Sequence, residues 1–120
     1  MTTYVLINKA TAIQSAPASG QAPVGSQIVN LTAGQGTTNP QQQAFQVVVT
    51  TSSGNGSATV QPMVSNDGVN FIAYGAALVV VAAASPAQIS GSGNVPWQFF
   101  TAYVTAISGT GAAVTCTMAA

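Results

Sequence analysis

Apart from the hydroxyl groups of Ser, Thr and Tyr, very few side chains in this sequence are of a type that performs acid–base, nucleophilic or metal chemistry. They are Asp67, Lys9 and Cys116, and the 120 residues include no His, Glu or Arg. Paired catalytic carboxylates, a Ser-His-Asp or Cys-His site, and a zinc site each require residues that this chain does not have. We therefore expect a protein that is not an enzyme and that uses no metal or other cofactor.

Two of these three residues have ordinary explanations. Cys116 lies in the alternating segment AAVTCTMA, on one face with Val114 and Met118, and this pattern predicts a small buried side chain rather than a reactive thiol. A single cysteine also cannot form a disulfide within the chain. Lys9 follows the first apolar segment, and we expect a solvated strand end, because Ser-Lys catalysis needs a nucleophile beside the amine in a pocket.

The third residue, Asp67, lies in the segment SNDGVNF and is either a ligand for a metal or sugar or the corner of a hairpin. Asp-Gly between two apolar segments is a strong hairpin signal, because Gly accepts the positive φ that a tight turn requires. A calcium loop would need several alternating acidic side chains and a closing Glu. We interpret Asn66, Asp67 and Gly68 as a structural hairpin turn.

Composition limits the partners of this protein. Hydrophobic residues make up 48% of the sequence but charged residues only 2%, against about a quarter in typical soluble domains. One Lys cannot neutralise a nucleic-acid backbone, and an uncharged surface does little to keep molecules apart. The sequence therefore favours a subunit packed against copies of itself or a partner over an unusual neutral monomer, with no nucleic-acid partner.

No secretion signal or membrane segment is apparent. The first residues lack a basic region followed by a sustained apolar stretch. The longest apolar run, residues 76–84 (AALVVVAAA), is too short to span a bilayer and is typical of a strand buried on both faces. We expect synthesis in the cytoplasm, no signal peptide and no membrane partner.

Short β-branched and aromatic segments, separated by Gly, Pro, Asn and Ser, recur along the chain. Seven to nine such segments without helical periodicity predict an all-β fold, a single antiparallel β-sandwich or jelly-roll-like domain. We assign residues 1–43 to an N-terminal strand plus extended arm, and residues 44–120 to the β-sandwich core. Pro62 lies inside one segment, which predicts an edge strand or a bulge there. The arm, residues 14–43, is expected to reach towards a neighbouring subunit.

Two stretches resemble a known family. ATVQPMVSNDGVNFIAYG followed by PWQFFTAYVTAISGTGAAVTCTM is similar to small virion proteins of tailed bacteriophages, in which a strand enters an S-x-DG-x-N-aromatic hairpin. The resemblance covers Ala58 to Met118, about half the chain. Many of those proteins carry an Arg where this chain has Thr101. The hairpin also resembles discoidin-like carbohydrate-binding modules, which are longer, more charged and usually secreted.

The phage resemblance implies a structural role in the virion. It implies a capsid decoration (cement) protein that binds copies of itself as a trimer and binds the major capsid protein, so that the protein is located in the virion. A head–tail connector or tail-associated protein is the alternative within the same family, and a carbohydrate-binding module is the alternative from another class. The apolar stretches are either ordinary core, their more common role, or a subunit interface. The candidate interface residues are Val79, Val81, Trp97, Phe99 and Phe100.

Overall fold

A computed structural model describes residues 3–17, 26–31, 43–84, 86–93 and 97–120. Within these ranges the chain forms nine β-strands in two antiparallel sheets. The strands are β1 (Thr3–Ala10), β2 (Val29–Asn30), β3 (Gln43–Thr50), β4 (Ser53–Ser65), β5 (Ile72–Ala73), β6 (Leu78–Ala84), β7 (Ala87–Gly93), β8 (Phe99–Thr110) and β9 (Ala113–Ala119). One sheet has the order β1-β9-β3-β7. The other has the order β2-β8-β4-β5, with β6 also paired to β4. The predicted all-β sandwich is confirmed.

The core lies between the sheets and follows from strict alternation. In β3 and β9 every second side chain is buried, and those of Phe45, Val47, Val114 and Cys116 meet the opposite sheet. A period of two puts apolar residues on one face of a strand and polar residues on the other. The opposite sheet contributes Ala58, Val60, Val64, Phe100, Ala102 and Val104.

The strand that contains Pro62 is central rather than at an edge, because β4 pairs with β8 on one side and with β5 and β6 on the other. The edge prediction is therefore wrong. The carbonyl of Pro62 accepts the Tyr74 N–H at 2.9 Å, so the missing N–H faces residues 74–77, between β5 and β6. The predicted irregularity is present nearby, as a register shift between Thr59 and Val60 against β8.

The apolar run of residues 76–84 is not buried on both faces, contrary to the sequence-based expectation. Val80 is 2% exposed and faces the core, whereas Val79 is 50% and Val81 77% exposed. Strand β6 therefore has one buried and one open apolar face. Among the described residues, β6 pairs only with β4.

One lateral side of the sandwich is closed by residues that follow β1. The Gln14 N–H donates to the Val104 carbonyl at 2.9 Å, and the Gln14 Oε1 accepts the Val104 N–H at 2.8 Å. The Gln27 N–H donates to the Leu6 carbonyl at 2.9 Å, and the Thr101 hydroxyl donates to the Gln27 carbonyl at 2.9 Å. We call Gln14, Gln27 and Thr101 the sealed side.

Part of the arm that the sequence predicted belongs to the sealed side or lies next to it. Gln14 and the segment Ser26–Leu31, which includes β2, contact their own sandwich instead of extending away from it. Residues 18–25 and 32–42 of the predicted arm lie outside the described residues. Within the described ranges, no helix is long and apolar enough to cross a membrane.

Candidate functional site

Two regions can be weighed as functional sites: the turn around Asp67 and the outer face of β6. The turn connects β4 to β5, which pair antiparallel through Val64 with Ile72 and Met63 with Ala73. Gly68 has a φ of +74°, a conformation that glycine adopts without steric cost. Asn66, Asp67 and Gly68 thus lie at the corner between two paired strands.

The Asp67 carboxylate is saturated by hydrogen bonds from its own turn. Its Oδ1 accepts the Ser65 hydroxyl and the N–H groups of Val69 and Asn70, each at 2.8 Å. Its Oδ2 accepts the Asn70 side-chain amide at 2.8 Å. These bonds, the backbone N–H of Asn70 first among them, hold the pKa of Asp67 well below its usual range. The carboxylate organises the turn and has little capacity left for a ligand.

Ser65 is a component of this turn that sequence reasoning missed. Its side chain is 1% exposed, and its Oγ accepts the N–H groups of Asp67 at 3.2 Å and Gly68 at 3.0 Å. The hydroxyl therefore both accepts from the backbone and donates to the Asp67 carboxylate. The signal was present, because Ser two residues before Asp-Gly is typical of such side-chain turns.

The outer face of β6 has a different character. A shallow depression of about 270 Å³ lies over β6, β4 and β8, and its lining includes Val79, Val81, Thr59 and Ala106. We call these four residues the β6 face. Thr59 lies opposite both Val79 on β6 and Ala106 on β8, so all three project from the same side of the sheet. Neither Lys9 nor Asp67 contributes to this lining.

The other candidate interface residues are not part of the β6 face. Phe100 is 0% exposed and packs in the core at 6.4 Å from the Phe45 ring and 6.0 Å from the Tyr74 ring, measured between centroids. Its assignment to an interface is corrected for that reason. Trp97 is half-buried against the core. Phe99 is half-buried, and its ring lies 3.1 Å from the position that a Cβ on Gly68 would occupy.

Cys116 and Lys9 take no part in either region. Cys116 is buried in the core, and desolvation raises the pKa of its thiol to about 12, so the thiol stays protonated and unreactive. Lys9 lies within β1, with a φ of 52°, at an irregularity where the pairing with β9 shifts register. Its backbone N–H donates to the Thr115 hydroxyl at 3.3 Å.

Comparisons with protein-family models, with curated proteins and with solved structures find no match to this chain.

Proposed function

We propose that this protein is a non-enzymatic structural subunit of a tailed-bacteriophage particle, namely a decoration protein on the head. The observation that carries the proposal is the β6 face, where Val79 is 50% and Val81 77% exposed on a strand that lies at an edge among the described residues. Native edge strands are usually protected by charge, proline or a covering segment. An apolar edge face without charge is a surface that a partner covers.

The composition supports the same proposal. With only Lys9 and Asp67 charged in 120 residues, almost any surface of the protein can be buried against another subunit without desolvating an ion. Desolvation of unpaired charges is a main cost of protein association. Such a chain is suited to the extensive, permanent contacts of a shell.

The phage assignment adds the identity of the partners. It rests on the resemblance of Ala58–Met118 to small virion proteins, which implies contacts with further copies of this chain and with the major capsid protein. In a decoration role the subunit would bind the assembled shell and not its dissociated components. Binding to one state alone stabilises that state by mass action, so no catalytic group is required.

The proposal is tested first by self-association. Light scattering should give an oligomeric mass for the purified protein, and the double variant Val79→Thr, Val81→Thr should shift the mass towards the monomer. Threonine keeps the β-branched shape and strand preference of valine, so the fold is expected to persist. Val69→Thr is the matched control, because Val69 is 48% exposed but lies in the turn after Asp67.

The second test concerns the particle. Mass spectrometry of purified phage particles should detect the chain in many copies, and cryo-electron microscopy should locate it on the head. Location at the head–tail junction or on the tail would retain the structural role but replace the decoration role. A strictly monomeric protein that is absent from particles would overturn the proposal.

A further inference from the structure

The bond between Asp67 and Gly68 carries a chemical liability that the proposed function does not use. In an Asp-Gly sequence the glycine nitrogen can attack the Asp Cγ, forming a C–N bond while the Cγ–OH bond breaks and water leaves with the amide proton. Water then adds to either carbonyl of the resulting succinimide and gives aspartate or isoaspartate. The absence of a side chain on glycine makes this sequence particularly reactive. No oxidant or other reactant is consumed.

The turn cannot remove this liability by replacing its glycine. Gly68 has a φ of +74°, and a Cβ there would lie 3.1 Å from two carbon atoms of the Phe99 ring. Any other residue at this position would therefore have a strained backbone conformation and a close contact with the Phe99 ring. Asp67 is equally needed, because its carboxylate accepts from Ser65, Val69 and Asn70. Both reacting residues are fixed by the requirements of the hairpin.

Both reacting groups are held by hydrogen bonds. The Gly68 N–H, which would supply the nucleophile, donates to the Ser65 Oγ at 3.0 Å. The Asp67 Oδ1 accepts three hydrogen bonds and the Oδ2 accepts one, all at 2.8 Å. Rotating the carboxyl group so that Cγ meets the nitrogen of Gly68 requires breaking this network. Since Asp67 is exposed to solvent, water access does not limit the reaction.

We propose that the hydrogen-bond network centred on Ser65 and Asp67 protects the Asp67–Gly68 bond against succinimide formation, with Ser65 as the positioning residue. The buried hydroxyl of Ser65 contacts both reacting partners, since it donates to the carboxylate and accepts from the Gly68 nitrogen. Isomerisation then proceeds only from the fraction of molecules in which the turn has opened. This inference does not rest on the proposed function.

The chain contains a second site of the same chemistry that serves as an internal reference. Asn55 precedes Gly56 inside β4, and the two residues pair with Ala84 and Ala83 on β6. Asn-Gly forms the same succinimide with loss of ammonia, and hydrolysis leaves aspartate or isoaspartate. This site is held by strand pairing and makes no contact with Ser65, so it reports on the opening of the sheet.

The test compares isoaspartate formation at both sites in one digest. Wild-type protein is incubated both under native conditions and in denaturant, and the variant Ser65→Ala is incubated under native conditions. Isoaspartyl peptides are then quantified by chromatography and mass spectrometry. We expect isoaspartate at residue 67 to form at least about ten times more slowly in native wild type than in denaturant. The reason is that the turn must break hydrogen bonds to a charged group before it can open. Under native conditions, Ser65→Ala should raise the rate at residue 67 much of the way to the rate in denaturant. The rate at Asn55 should stay unchanged.

Two results would overturn the proposal: equal rates at residue 67 in native and denatured wild type, or a folded Ser65→Ala protein with the wild-type rate. If Asn55 also reacts faster in Ser65→Ala, that variant has lost its fold. The variant Asn70→Ala is then tested in its place. Asn70→Ala removes the donor to the Asp67 Oδ2 and leaves the backbone donors in place. An unchanged rate at residue 67 in that variant would contradict the protective role of the network.

Discussion

The two lateral sides of the sandwich differ in how the backbone groups at their strand edges are covered. On the sealed side, Gln14 and Gln27 satisfy backbone groups of β8 and β1, and Thr101 fixes the backbone of Gln27. On the other side, β5, β6 and β7 are the outermost strands, and among the described residues each pairs with a single neighbour. There the β6 face presents valine side chains to solvent.

This difference shows how a nearly uncharged chain controls its strand edges. Many proteins place lysine or other charged residues at an edge to prevent unwanted pairing, but this sequence has only one lysine. Neutral amides and a hydroxyl perform that task on the sealed side, because they occupy the backbone hydrogen-bonding groups directly. The β6 face has no equivalent among the described residues, which is why we propose that a partner covers it.

The strongest test of the difference places the same arginine on each side. Thr101→Arg should destabilise the fold by roughly 3 kcal/mol or more, because it puts an unpaired cation at a position with 0% exposure. Val81→Arg should change stability by only about 0.5 kcal/mol, since Val81 is 77% exposed. Denaturant unfolding of both variants measures the contrast.

Light scattering of the same two proteins completes that comparison. Val81→Arg should remain folded and lose self-association, whereas any folded fraction of Thr101→Arg should retain it. A stable Thr101→Arg protein would show that position 101 accommodates the cation, and the bond from Thr101 to Gln27 would then not be required to close the sealed side.

Local sequence patterns were sufficient for the strands and for the turn. Alternation in AFQVVVTT and AAVTCTMA predicts strands that the structure shows as β3 and β9, and Asp-Gly predicts the corner after β4. In these segments the signal lies within a few neighbouring residues, so no knowledge of distant contacts is needed.

The same reasoning failed where the outcome depends on distant parts of the chain. The apolar run of β6 reads as buried on both faces, but only sheet order shows that the strand has one covered face. Gln14 bonds to Val104, 90 residues away, and no local pattern predicts such a partner. Pro62 is tolerated in a central strand because β5 ends before β6 begins, which is again a property of the assembled sheet.

A smaller effect is expected from removing the side-chain contacts of Gln14 on the sealed side, which include a bond from its Nε2 to the Ser26 Oγ at 3.0 Å. Gln14→Ala deletes the acceptor for the Val104 N–H, which is bonded at 2.8 Å, and should lower the free energy of unfolding by about 1–2 kcal/mol because a partly buried donor is left without its partner. Urea unfolding monitored by Trp97 fluorescence would measure the change.

Gln88→Ala is the control for this substitution. The Gln88 side chain accepts the Gln46 amide at 3.3 Å on the exposed outer face of the β3–β7 pair, and its loss should cost no more than about 0.5 kcal/mol. Equal effects from the two alanine variants would mean that the side-chain contacts of Gln14 stabilise the fold no more than an exposed surface contact does.

The smallest expected effect is the response to acid, which belongs to the Asp67 turn and to neither lateral side. Hydrogen bonds in the folded state lower the pKa of Asp67 below its value in the unfolded chain, so the unfolded state binds a proton more readily. The stabilisation is therefore complete above the unfolded pKa of about 3.9 and is lost as the pH falls through the lower folded pKa. Above pH 5 the turn contributes no pH dependence.

Because Asp67 is the only acidic side chain in the sequence, one substitution isolates its titration. We expect the melting temperature of the wild-type protein to decrease by a few degrees between pH 5 and pH 2. Asp67→Asn keeps an oxygen that can accept the N–H bonds of the turn but cannot titrate, so its melting temperature should start lower and vary less over the same interval. The difference between the two curves removes any contribution from the chain terminus. Parallel curves would mean that the Asp67 network does not stabilise the folded state, and the hairpin would then depend on Gly68 and strand pairing alone.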